Sequence, residues 1–218
     1  MRKYPLIDGK VYHTFTKSIA GFEIFRNESD YQRISSVLNY YKAENPPVRF
    51  SIFSDIKNKE SFYQRHFDSQ DDLVEIIAYC FMPTHIHLIL RQLKKDGISI
   101  FMSRVLNSYT RYFNLKNKRK GPLWESRFKN VEVGTDEQLL HLTRYIHLNP
   151  VTANLVEDPQ DWNFSSYNEY LGEKQFKESI CNYSRLLDIV PEDYKKFVSS
   201  RKDYQRELAE LKELFLEY

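Results

Sequence analysis

Cysteine is scarce in this chain: Cys80 and Cys181 are the only two in 218 residues. That count supports neither a disulfide framework nor a cysteine-based zinc site, and it fits a reducing compartment. Cys80 lies in the apolar run Ile76 to Met82, where a small buried thiol is the expected state. Long apolar runs are missing as well. The opening MRKYPLIDGK lacks the apolar stretch of a signal peptide. No later run approaches the roughly 20 residues of a membrane-spanning helix. A cytoplasmic protein with no membrane contact is therefore expected. Charge of one sign is also lacking, with 32 Lys and Arg against 30 Asp and Glu, a formal net charge of +2. Net charge alone does not announce a nucleic-acid binder, so such a role must rest on where the basic residues cluster. Neither a P-loop, an internal repeat nor a low-complexity tract is present.

What is present fits a soluble globular chain, at 41% hydrophobic and 28% charged. The length suffices for one substantial core plus an appendage. Aromatic content is high at 15%, with 16 Tyr and 15 Phe. Most of these rings belong in the core, since aromatics dominate burial energetics, and some are available as stacking platforms.

Val11 to Ile19 alternates loosely and predicts a strand. Beyond Asn27, the residues Tyr31, Ile34, Val37, Leu38 and Tyr41 recur at helical spacing, and Pro46-Pro47 sets a limit near Asn45. Val48 to Phe53 reads as a short strand, and Ser54 to Asp72 as a long loop or irregular helix. Val74 to Met82 and His85 to Leu90 predict an antiparallel pair joined across Pro83-Thr84. A helix is expected from Ile98 to Asn117, closed by Gly121, then a strand from Trp124 to Val133. Thr135-Asp136-Glu137 opens another helix that should end near Asn149-Pro150. The implied fold class is α+β: a ferredoxin-like antiparallel sheet with helices packed on it. Residues 1–171 form the expected main domain. Residues 172–218 read as a helical C-terminal appendage with Phe197, Tyr204, Leu208, Leu211 and Phe215 on its apolar face, a segment expected to tune rather than perform chemistry.

On a strand, residues two apart share a face, so His85 and His87 project together. Two convergent imidazoles suit a divalent metal. Taken alone, the pair is better explained as two half-exposed strand histidines without a ligand. The block RYIHLNP changes the balance, because Tyr145 and Asn149 stand four apart on one helix face. His141 lies one turn earlier, a candidate for active-site support. A tyrosine between a histidine and a carboxamide suits a nucleophile beside a metal ligand. Asn149 has a rival reading, that an Asn before Pro satisfies carbonyls at a helix end.

The blocks MPTHIHL, GPLWESRFK, RYIHLNPVTANLV and WNFSSYNEY together resemble the signature blocks of the single-tyrosine HUH transposases. Within that family they are most similar to the REP-associated tyrosine transposases, and the resemblance covers roughly Val11 to Leu171. It implies an HUH endonuclease-type core with His85 and His87 as the metal-binding pair and Tyr145 as catalytic tyrosine. Asn149 matches the third ligand, which is glutamine in the insertion-sequence branch. The residue before the first histidine, usually Asn in the family, is Thr84 here. The resemblance further implies hairpin-forming DNA as substrate and a homodimer.

The implied reaction is single-stranded DNA cleavage and strand transfer through a 5′-phosphotyrosine, with magnesium or manganese as the ion. Arg104, Arg111, Lys116, Lys118, Arg119, Lys120, Arg127 and Lys129 are the candidate DNA contacts, interleaved with Tyr109, Tyr112, Phe113, Trp124 and Phe128. For Tyr109 and Phe113 a core position is the stronger expectation, and Trp124 and Phe128 lean the same way. The alternative is a catalytically retired or domesticated hairpin-DNA-binding protein on the same fold. A zinc hydrolase is disfavoured, because no third strong ligand or carboxylate base accompanies the histidines.

Overall fold

The computed structural model describes residues 5–173 and 179–202. Tyr204, Leu208, Leu211 and Phe215 of the expected C-terminal apolar face lie outside the described residues.

Four strands, β1 (Val11–Lys17), β2 (Val74–Met82), β3 (His85–Gln92) and β4 (Lys129–Val133), form one sheet in the order β2-β3-β1-β4. The backbone ties are antiparallel. Ser18 donates to the Thr84 carbonyl and Gln92 to that of Lys10, while Glu125 donates to Lys17. An antiparallel sheet with helices packed on it is the α+β, ferredoxin-like class that the sequence implied. β2 is buried along its whole length, as a continuous apolar run on a covered strand requires.

The helices are α1 (Glu28–Tyr41), α2 (Phe50–Ser54), α3 (Lys59–Phe67), α4 (Gly97–Lys116), α5 (Asp136–Thr152), α6 (Tyr167–Tyr170) and α7 (Pro191–Ser199). Side-chain caps start three of them: Asn27 accepts from Asp30 N, Asn58 from Ser61 N and Thr135 from Gln138 N. One expectation is corrected, and one left open between loop and helix is settled. Val48 to Phe53 is not a strand, because Phe50 opens α2 and packs edge-on against Tyr40. The segment after Ser54 contains α3, whose Phe67 and Tyr63 rings stack. The sheet therefore has one strand fewer than the sequence suggested. β4 is also shorter than expected, since Trp124 makes an isolated bridge with Ser18 ahead of it.

Two compact units divide the chain. One comprises Met1–Glu75, Pro83–His85 and Leu90–Glu132; the other comprises Ile76–Met82, Ile86–Ile89 and Val133–Tyr218. In the first, α1 packs on α4, whose Phe101, Val105, Tyr109 and Phe113 are buried. Gly97 opens α4 where a Cβ would come within 2.3 Å of the Leu73 carbonyl oxygen, so no larger residue fits. In the second, α5 packs on α7, and the segment around Ser165 pairs with Cys80 of β2. No helix among the described residues is long and apolar enough to cross a membrane.

Candidate active site

Tyr145 sits midway along α5 and keeps 45% of its surface exposed, unusual for a large aromatic on a packed helix. Its ring meets that of His87 edge-on at a right angle, with centroids 6.2 Å apart. Partial burial raises the phenol pKa above its ordinary value, so the ring carries no intrinsic activation. His87 is 8% exposed and lies in the same unit as Tyr145.

Asn149 comes one turn after Tyr145 on α5 and is also 8% exposed. Its Nδ2 is buried without a hydrogen-bond partner. The helix continues through Pro150 to Thr152, and the capping bond is backbone, from Ala153 N to Asn149 O. The helix-end role for this side chain is therefore not realised. A buried amide terminus without a partner costs about 1–3 kcal/mol. Amide O and N are interchangeable by a flip, so the same position can present the oxygen that a hard cation takes.

His85 opens β3, two residues before His87 on the same strand. Its Nδ1 lies 2.9 Å from Thr84 Oγ1, so the threonine takes up the polar contact of the turn. Metal-binding imidazoles commonly engage their second ring nitrogen in such a contact. Burial, reinforced by the positive charge of Lys17, pushes the His85 pKa down to about 4. The imidazole is then neutral at physiological pH, the form that binds metal. Among the described residues no three His, Cys, Asp or Glu side chains cluster as a metal site. Within the second unit His87 and Asn149 offer an imidazole and a carboxamide, and the buried, unpartnered Nδ2 of Asn149 is the observation that favours a ligand there.

His141 is exposed; its Nδ1 lies 2.7 Å from Arg144 and its ring tilts against Phe197. These contacts tie it to Arg144 of its own helix and to Phe197 of α7.

The candidate DNA contacts separate into two groups. Lys116 lies 2.6 Å from the buried carboxylate of Asp30, which also accepts from Tyr112 Oη and Arg26 N. Arg119 donates to Asn114 Oδ1 and to the carbonyls of Gly121 and Pro122, holding the turn after α4. Both guanidinium and ammonium are thus engaged in folding, contrary to their reading as free phosphate contacts. Lys118, Lys120, Arg127 and Lys129 are exposed along the same stretch. Arg111 is exposed on α4, while Arg104 is oriented by the carbonyls of Ala43 and Glu44. Of the interleaved aromatics, Tyr109 donates to the Ile24 carbonyl, and Trp124 donates from Nε1 to Leu106 O and Thr110 Oγ1. These two are core, as is Phe113.

One group of residues escaped the sequence reading. His147 is fully buried, with Nδ1 2.7 Å from Tyr194 Oη and Nε2 2.7 Å from Ser166 Oγ. Ser166 also accepts from Tyr79 N, and Glu169 accepts from Tyr79 Oη, Ile180 N and Cys181 N. The block WNFSSYNEY thus ties α5, β2 and the residues after 179 together. Its signal was available: His147 falls two residues after Tyr145, roughly 200° around the helix, so it must face the opposite side.

Residues 49–149 match the sequence model of a transposase family described as IS200-like. A Haemophilus influenzae protein named for the REP-associated tyrosine transposases is 31% identical over 105 residues, 43% of this chain and 59% of that relative. The chain thus spans somewhat over half of the relative's length. A REP-associated tyrosine transposase solved in complex with a REP hairpin matches with a TM-score of 0.54 at 19% identity. That alignment covers 87% of this chain and 98% of the solved one, a likeness of fold. The resemblance carried by the four sequence blocks is upheld: this chain is similar to the IS200-like transposases, and to their REP-associated branch in particular.

Proposed function

We propose that this chain cleaves and rejoins single-stranded DNA by transesterification, with Tyr145 as nucleophile and hairpin-forming DNA as substrate. The observation that carries the proposal is the half-exposed Tyr145 ring set against His87, with the unpartnered Asn149 amide one turn along α5. A magnesium or manganese ion held by His85, His87 and Asn149 would draw charge from the scissile phosphate and orient it for in-line attack.

The chain's own residues do the rest. Tyr145 presents its phenolic oxygen from a rigid helix, which fixes the direction of attack. The new bond joins that oxygen to phosphorus, the P–O3′ bond breaks, and the phenolic proton leaves with the departing 3′-oxygen as a hydroxyl. The product is a 5′-phosphotyrosine, which a second 3′-hydroxyl reverses without ATP. Thr84 restrains the His85 ring through Nδ1, and the His87 ring limits the rotation of the tyrosine. Exposed Lys118, Lys120, Arg127 and Lys129 supply phosphate contacts. A homodimer, as the resemblance implies, belongs to the same proposal. The REP hairpin bound to the structural relative supports hairpin DNA as the substrate here.

Incubation with single-stranded hairpin DNA and magnesium should give a denaturation-resistant protein–DNA adduct. Tyr145→Phe should abolish the adduct while leaving DNA binding nearly unchanged. An adduct that persists in Tyr145→Phe refutes the nucleophile assignment. A chain that binds the hairpin yet forms no adduct with any divalent ion is the retired DNA-binding protein instead.

A further inference from the structure

The first unit carries a groove of about 380 Å³ lined by Arg33 of α1, Arg49 at the start of α2, and Arg104 and Arg111 of α4. No acidic residue lines it. Among the described residues none of the four guanidinium groups pairs with a carboxylate within 4.0 Å, although the charge of Asp55 acts on Arg33.

Arg33 is the telling member. Its guanidinium carbon lies 4.4 Å from the Phe50 ring centroid and 5.1 Å from that of Tyr112. Its Nε is buried and without a hydrogen-bond partner. Stacking on two rings holds the charge in place and strips part of its water without supplying an anion. Arg104 is held by two backbone carbonyls, which fix its direction but leave its charge uncompensated. Arg111 follows Arg104 by seven residues, two helical turns or about 10 Å along α4. Charges spread over that length suit successive phosphates of a strand better than one small anion.

We infer that this arginine groove binds the phosphodiester backbone of the DNA substrate, as an anchoring site built from residues of the first unit alone. The inference rests on the proposed function for the identity of the polyanion. It brings in Arg33 and Arg49, which lie outside the basic stretch from Lys116 to Lys129. Planar guanidinium groups match phosphate oxygens bidentately, and in this groove two rings already orient one of them.

The test is fluorescence anisotropy with a labelled hairpin-forming DNA oligonucleotide bearing single-stranded flanks, titrated at several salt concentrations. Arg49→Gln with Arg111→Gln alters two residues exposed at the groove, and thermal melting confirms that the variant folds. Binding should weaken several-fold, and the log–log salt slope should become shallower by about 1.4 to 1.8, for two lost phosphate contacts. A charge-matched Lys195→Gln/Lys196→Gln variant on α7 should keep the wild-type slope. Unchanged affinity and slope in the arginine variant would overturn the groove, including the case where it receives an acidic protein segment instead. The adduct assay separates the two ideas. Slope loss without any wild-type adduct leaves the groove standing and the catalytic reading fallen; a normal adduct with an unchanged slope does the reverse.

Discussion

Tyr194 of α7 places its hydroxyl 2.7 Å from Nδ1 of His147 in α5, inside a fully buried cluster. Ser166 accepts from Tyr79 N and has one proton to give; if that proton goes to the Tyr79 carbonyl 3.2 Å away, Nε2 is a donor and Nδ1 accepts from Tyr194. If Ser166 instead gives its proton to Nε2, Nδ1 donates to Tyr194; in either tautomer Nδ1 and the Tyr194 hydroxyl satisfy one another. Tyr194→Phe should leave that nitrogen unsatisfied and lower stability by about 1–3 kcal/mol. Urea denaturation of the two proteins measures it directly.

The same contacts alter the expected division of labour along the chain. Residues after Gly172 read as an appendage separable from the chemistry. In the structure, Glu169 accepts from Ser179 Oγ, Ile180 N and Cys181 N, and Tyr194 completes the His147 cluster. Truncation after Gly172 should therefore leave Glu169 with Tyr79 and His147 with Ser166 as their remaining partners, strip the other contacts from both buried groups, and give a protein that melts at markedly lower temperature, if it folds at all. Calorimetric melting of full-length and truncated chains decides this. Equal melting temperatures would restore the dispensable tail.

Much of the fold was legible because local signals agreed with the packing. β2 reads directly from Val74 to Met82 as an unbroken apolar run, and α1 from its Asn27 cap and its spaced apolar face. Val48 to Phe53 misled because a short apolar run has no period that separates strand from helix. There the outcome was set by tertiary contact, Phe50 and Phe53 packing on Tyr40. In the site, Tyr145, Asn149 and the histidine pair were legible by spacing. The partners of Lys116 and Arg119 were not, since Asp30 and Pro122 reach them through folding or turn geometry that a charge pattern does not encode. His147 shows the same limit, since its partners lie 19 and 47 residues away.

Metal affinity should follow ligand strength. His87→Ala and His85→Ala should each remove detectable binding of manganese in isothermal titration, since an imidazole is one of few donors. Asn149→Ala should weaken binding less, because a neutral carboxamide is the poorest donor of the three. It should also raise stability slightly without metal, by removing a buried amide that has no partner. Equal titration curves for His87→Ala and the parent protein would remove the metal site from this position.

Lys116 offers a caution for any test of DNA contacts. Its ammonium is 2.6 Å from Asp30, whose carboxylate is 2% exposed; burial alone would raise its pKa, but Lys116, Arg26 N and Tyr112 together hold it below the ordinary value. Lys116→Met should leave that carboxylate short of its charged partner. The expected loss is about 2–3 kcal/mol, reduced from the figure for a fully buried pair because the lysine is partly solvated. A Lys118→Gln/Lys120→Gln variant should keep parental stability and lose DNA affinity alone. Chemical denaturation beside DNA binding separates the two, and a Lys116→Met protein as stable as the parent would return this residue to the DNA surface.

Acid should unfold this protein through its buried histidines. Burial lowers the pKa of His147 from 6.5 to about 3, and those of His13 and His85 from 6.5 to about 4. The sign follows from linkage. An unfolded chain takes up protons at these sites near pH 6.5, whereas the folded chain resists until the pH is far lower. Their contribution is present in full above pH 6.5 and is lost progressively as pH falls toward the folded values. Each site contributes up to about 1.4 kcal/mol per pH unit across that window. His147→Gln removes one of the three, so it should be less stable than the parent at neutral pH yet lose stability less steeply below about pH 6.5. Denaturant unfolding at a series of pH values reads both slopes. Parallel slopes for variant and parent would mean that His147 takes up its proton in the folded state, and that its buried cluster opens to water before the protein unfolds.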